Sequence, residues 1–308
     1  MIFIRKKPPN LLLSFKSVII YGMKTVFSYT CVILMIIFPI GLIGALELEV
    51  SGGLNNFSWN PEKAAAGGVF EPYQSFVFKA GLKGDISKAW SFDVNIERDN
   101  ILQNNIDFRL KTMTDNFGFE FGIFTGINDS FNALSMGISG ALQLNWHGIL
   151  YASIGGSSTI GSQFDFTGNN FRESAELKIG FTLPVVIPVL YICTKSYTEN
   201  TDTSSTINKL DRFGLNAEFY FSKTSPVSFS VGGGYQSLTW THKDAAQTAD
   251  EISAIYAGFD IQYSVSKNLR FMLGGEIPLV VIPTPPLKSS EEFWMMFKAF
   301  GGVSIKFF

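Results

Sequence analysis

Catalysis needs a base, a nucleophile or a ligand set, and this chain offers few of them. Its only histidines are His147 and His242. His242 stands beside Asp244, with Thr239 and Thr241 near, and is the one credible general base. Nucleophilic catalysis needs such a base close to a hydroxyl or thiol and steadied by a third polar group. His147 precedes Gly148 in what reads as a tight turn, and an exposed loop histidine is ordinarily just solvated. The two cysteines are Cys31, inside an N-terminal apolar run, and Cys193, alone afterwards. They give no disulfide within a mature chain and no metal-ligand spacing. The reading is therefore not an enzyme, with no cofactor and no metal. The side chains that could act are charges placed at alternate positions of apolar segments: Asp93, Glu97, Asp107, Arg109, Lys111, Glu120, Glu176, Lys178, Glu218, Asp260, Arg270, Glu276 and Lys298. Kept from bulk water, such groups need partners or water of their own. They would either line a wet channel or cross-link a nearly sealed interior.

The elements that carry these charges read as strands. In the last stretch, Phe297, Ala299, Gly301, Val303, Ile305 and Phe307 share one parity, while Lys298, Phe300, Gly302, Ser304 and Lys306 share the other. A period of two means one apolar and one polar face. The same alternation recurs from Leu46, Leu48 and Val50 through Phe117, Phe119 and Phe121 to Ile255, Ala257 and Phe259. It marks about fourteen strands, or twelve if the Gly/Ser-rich segment Ile149–Ser158 and the poorly alternating Pro188–Tyr197 fail. Gly52-Gly53 reads as a bulge in the first strand. The Pro-rich run after Ile277 reads either as a loop folded into the mouth or as a continuation of the thirteenth strand.

Connections after even strands are tight, as in W-H-G and V-S-K-N. Those after odd strands are mostly longer and polar, as in R-D-N-I-L-Q-N-N, the Thr159–Phe171 stretch and the Thr198–Asp211 stretch. A membrane barrel with both termini on one side shows that alternation. Trp90 and Trp146 fall beside short turns, and Trp59, Trp240 and Trp294 beside long loops. All five suit a membrane interface, where an amphipathic ring can rest.

The 308 residues carry a formal net charge of −2, with 16% charged and 15% aromatic residues, 30 of them Phe. A soluble domain has nearer about 25% charge, and the near-neutral balance excludes nucleic acid as a partner. Lys24 precedes an uncharged apolar run broken at Pro39 and Gly41 before Ala45. This reads as a signal peptide over 1–45, with Met23 as the true start and a transmembrane anchor as the rival. The mature part, 46–308, reads as one barrel.

The C-terminal stretch, with alternate apolar residues and an aromatic end, resembles the last strand of bacterial outer-membrane β-barrels. The whole mature segment looks like such a barrel. L-E-V-S-G-G-L-N-N-F-S-W-N-P-E-K, A-L-Q-L-N-W-H-G-I-L-Y-A-S-I-G-G-S-S-T-I-G and V-G-G-G-Y-Q-S-L are also similar to an uncharacterised spirochaete-type barrel family. The resemblance implies the cell outer membrane, outer-membrane lipid and the barrel-assembly machinery as partners, and an antiparallel transmembrane barrel, porin-like. The oligomeric state stays open. Some barrels of this kind are enzymes, and the protease barrels use an Asp-x-His step. No Asp precedes either histidine by two residues here. The expected function is a narrow water-filled pore for small solutes or ions. The alternative is a surface adhesin or structural barrel whose Ser/Thr/Asn-rich loops bind host or matrix ligands.

Overall fold

The computed structural model describes residues 45–55, 75–128, 133–165, 169–200, 205–220, 225–243, 248–284 and 297–307. Fourteen strands run in chain order: β1 (Leu46–Asn55), β2 (Ser75–Asp85), β3 (Trp90–Asp99), β4 (Gln103–Met113), β5 (Phe117–Ile127), β6 (Ala133–Trp146), β7 (Leu150–Asp165), β8 (Asn169–Phe181), β9 (Val186–Asn200), β10 (Ser205–Tyr220), β11 (Val227–Lys243), β12 (Thr248–Ser264), β13 (Leu269–Thr284) and β14 (Lys298–Phe307). Each pairs antiparallel with its neighbours in sequence, and β1 closes on β14 with Leu46 opposite Phe307 and Asn55 opposite Lys298. Closure leaves no edge strand to present unpaired backbone groups.

Side-chain placement is inverted relative to a protein that folds in water. Phe119, Phe121, Ile138, Leu142, Ile154, Ile192, Phe213, Leu215, Phe259 and Leu273 are exposed, while Asp93, Asp107, Glu120 and Arg172 are buried. Leaving one such apolar side chain in water forgoes about 1.5–3 kcal/mol. A continuous belt of them around a closed barrel is the surface of a transmembrane β-barrel.

The two weakest sequence segments both form strands, so the twelve-strand alternative is excluded: β7 has 16 residues and β9 has 15. The stretches expected as long polar loops also turn out largely to be strand. Asn200 and Ser205 bound β9 and β10, and Asn169 already belongs to β8. Above the apolar belt the outward positions meet water, so alternation disappears while the backbone ladder continues. Outward-facing Lys209 and Asp211 pair at 2.7 Å, and Thr194 donates to Asp211 at 2.7 Å.

Gly52-Gly53 is not a bulge, because the β1 register runs unbroken through both residues on each side. Glycine is required there by close approach: a Cβ at Gly53 would lie 2.0 Å from the Ala299 carbonyl oxygen. The irregularities lie elsewhere, in β6–β7 around Met136 and in β12–β13, where Leu279 is skipped between Pro278 and Val280. Pro278, lacking an N–H, suits that bulge. Ile277–Ile282 prolong the strand, since β13 reaches Thr284, and the rest of the Pro-rich run lies outside the described residues. The tight turn after Trp146 carries His147 at φ 51° and Gly148 at φ 68°, and the Ile149 N–H donates to the Trp146 carbonyl at 3.0 Å. Two left-handed central residues are what a two-residue hairpin turn of matching twist needs.

Candidate functional site

The interior is organised by the connection expected to be a long polar loop, R-D-N-I-L-Q-N-N. It is instead a three-residue turn, Asn100–Leu102, between β3 and β4. Asp99 makes it tight: its Oδ1 accepts the Ile101 N–H at 2.8 Å and also the Leu102 N–H. An aspartate bonding the backbone just ahead of it is a local turn former. The turn sits inside the barrel. Ile101 is 2% exposed and packs with Leu238, Trp240, Ile252 and Ala254, on the opposite wall formed by β11 and β12. Leu102, Leu210 and Val281 extend the contact.

Polar bonds hold the turn from the side. The Asp99 Oδ2 accepts from Lys195 Nζ at 2.6 Å, and Glu97 lies 3.7 Å from the same ammonium. Arg172 reaches from β8 to donate its Nε–H to the Leu102 carbonyl at 2.9 Å, and it also donates to the Ser135 hydroxyl. Its guanidinium stacks on Tyr197, 4.8 Å from the ring centre, and the Tyr197 hydroxyl bonds Asn170 at 2.7 Å. The path of Arg172 requires Gly126, where a Cβ would stand 2.5 Å from the guanidine nitrogen Nε.

The expected inner charges all lie on the inward parity, but they divide into two populations. On β3–β6, Asp93, Asp107, Arg109, Lys111 and Glu120 form one network. Lys111 lies 3.2 Å from Asp93 and 3.3 Å from Glu120, and Arg109 donates to Asp107 at 2.7 Å and lies 3.7 Å from Glu120. Ser139 and Gln143 donate to Asp107 and Glu120. The carboxylates of this network are buried, whereas Arg109 and Lys111 stay about a third exposed, so the acids of this group cross-link the wall.

The second population borders a cavity of about 540 Å³ beneath the turn. It includes Glu97, Glu176, Asp260, Glu276 and Lys298. Glu276 lies 3.1 Å from Arg212 and 3.9 Å from Lys298. Glu176 pairs with Lys178 at 2.7 Å, and Asp260 accepts from Gln262 at 3.3 Å. Arg270 reaches the other oxygen-bearing end of Gln262 at 3.5 Å, and Glu218 stands opposite Ser230 on β11.

Sequence reading missed Asp99, Lys195, Arg212 and Arg172, and also Glu49, which lies 3.9 Å from Lys79 and 3.6 Å from Lys83. Glu49, Lys79 and Arg212 were accessible by extending the parity of Val50, Phe78 and Phe213. Lys195 lies in β9, where the alternation is poor.

Among the tryptophans, Trp90 and Trp146 are exposed at the short-turn end. Trp240 corrects the interface expectation: it is 3% exposed on the inner parity of β11, against the turn. A ring of that size beside an apolar turn buries more surface inward than at a lipid headgroup. Trp59 and Trp294 lie outside the described residues, as does Asp244. His242 is placed only by its backbone, opposite Thr206 and Thr248. Among the described residues, no group of His, Cys, Asp and Glu is arranged to hold a metal ion.

No protein-family model matches the chain, and no curated protein matches it significantly in sequence. Solved structures do match. An outer membrane channel from Pseudomonas putida F1 aligns at 8% identity with a TM-score of 0.47, over 87% of this chain and 97% of that one. OmpT, an outer membrane protein of Vibrio cholerae, aligns at 9% and 0.43, over 86% and 97%. An anion-selective porin from Comamonas acidovorans aligns at 12% and 0.40, over 86% and 100%. At these values the likeness is one of general barrel architecture.

Proposed function

We propose that this chain is an outer-membrane barrel forming a narrow, water-filled pore for small polar solutes or ions, and not an enzyme. The observation that carries the reading is the cavity beneath the β3–β4 turn, bordered by charges of both signs inside a barrel whose outer belt is apolar. Charged walls keep such a space wet, and the turn narrows it at the end opposite Leu46 and Phe307. In this reading residues 1–45 are an export signal, and the barrel-assembly machinery and outer-membrane lipid are the chain's partners.

Planar-bilayer recording of the purified, refolded protein tests the proposal. The expected result is discrete conductance steps that are small for a fourteen-stranded barrel. A correctly folded barrel that stays electrically silent and passes no solute into proteoliposomes overturns the pore and leaves the adhesin or structural reading.

A further inference from the structure

The charges around the cavity are unequally paired. Among the described ion pairs, Lys195 is shared by two carboxylates, Asp99 at 2.6 Å and Glu97 at 3.7 Å, so this trio carries one negative charge in excess. Among the described ion pairs, Glu276 is shared by two cations, Arg212 at 3.1 Å and Lys298 at 3.9 Å, so this trio carries one positive charge in excess. The two clusters adjoin. Arg212 lies opposite Cys193, two residues along β9 from Lys195. Such diagonal neighbours across two strands are about 7–8 Å apart at the backbone. Both clusters border the same cavity.

The cations of the positive cluster rest on aromatic faces, Arg212 at 4.5 Å from the centre of Tyr256 and Lys298 at 5.5 Å from that of Phe300. An aromatic face holds a cation in place without cancelling its charge. Arg212 Nε has no hydrogen-bond partner despite its burial. Glu97 and Lys298, with side chains 42% and 32% exposed, are the members of the two clusters most open to a visitor.

We propose that this cavity is a binding site for small zwitterions, solutes carrying an ammonium and a carboxylate a few ångströms apart. The ammonium meets Glu97, and the carboxylate meets Lys298 and Arg212. A purely anionic or cationic solute satisfies one cluster and is repelled by the other, whereas a zwitterion satisfies both. The volume lies within the range of small-molecule pockets, roughly 300–1,000 Å³. The inference names a solute class for the pore and so rests on the pore reading for transport, though not for binding.

The test uses the full barrel in proteoliposomes, comparing swelling rates in glycylglycine with those in an uncharged polyol of similar size. Binding of glycylglycine to the detergent-solubilised barrel is measured separately by calorimetry. The wild type is expected to pass glycylglycine about fivefold faster than the polyol, the ratio given by one half-exposed ion pair at the upper end of its range. In Glu97→Gln and in Lys298→Gln that ratio falls toward one and calorimetric affinity falls with it, while heat-modifiable migration on gels shows that both variants fold. Equal rates for the two solutes in the wild type, together with no calorimetric binding, overturn the inference and leave the pore standing. Binding without flux of either solute supports the site and overturns the pore. Neither binding nor flux from a folded barrel overturns both.

Discussion

Lys195 makes the residue-scale case. It joins β9 to the inward turn through Asp99 and Glu97, so removing its charge leaves two carboxylates facing each other in a confined space. Lys195→Met is expected to cost about 2 kcal/mol, because the pair is mostly enclosed yet still touches the cavity. It is also expected to raise single-channel conductance as the turn loses its side anchor. Denaturant titration and bilayer recording check the two effects. Trp240 makes the complementary case from the apolar side. Trp240→Ala is expected to cost about 3–5 kcal/mol through the void it leaves, and to widen the passage in the same recordings. An interface tryptophan facing lipid would leave conductance unchanged.

At the scale of elements, the wall on β3–β6 and the wall on β9–β14 have different tasks. Reversal of charge in the first, as Arg109→Glu, places a third acid between Asp107 and Glu120. The expected outcome is a lower melting temperature of the folded gel band with little change in ion selectivity. Reversal in the second, as Lys298→Glu, is expected to shift the reversal potential under a salt gradient toward cation selectivity while the melting temperature moves little. The seam between β1 and β14 is a third element with its own requirement. Gly53→Val drives a side chain into the Ala299 carbonyl, and the expected outcome is loss of the folded band altogether.

Strand number, closure and inward parity were legible in the sequence wherever the outer face meets lipid, because lipid enforces a period of two. Where strands rise past the lipid, as at Thr194, Lys209 and Asp211, both faces meet water and the period vanishes. Polar ladder then looks like loop. The inward turn was hidden for a different reason. Its partners Leu238, Trp240 and Ile252 lie on strands remote in sequence, and Ile101 and Leu102 look like ordinary loop apolar residues until the barrel closes. Lys195 was invisible because its strand lacks the parity signal, whereas Arg212 was visible in principle from the register of Phe213 and Leu215.

For the whole molecule, the height of the wall is uneven. β3–β5 have 10 or 11 residues and β9–β13 have 15 to 17, against about 9–11 needed to cross the hydrocarbon. The taller side therefore stands clear of the bilayer. In a Cys193→Ser background, Lys209→Cys on reconstituted barrels is expected to react with a membrane-impermeant maleimide, and Phe213→Cys, on the same outward face, to stay unlabelled. Mass spectrometry reads both.

The seating of Ile101 against Leu238 and Ile252 also carries a message about biogenesis. The pocket that receives it is built from Leu238 and Ile252, which stand 137 and 151 positions further along the chain. The hairpin can therefore seat only once β11 and β12 have been made, which sets the narrowing of the bore among the later steps of assembly.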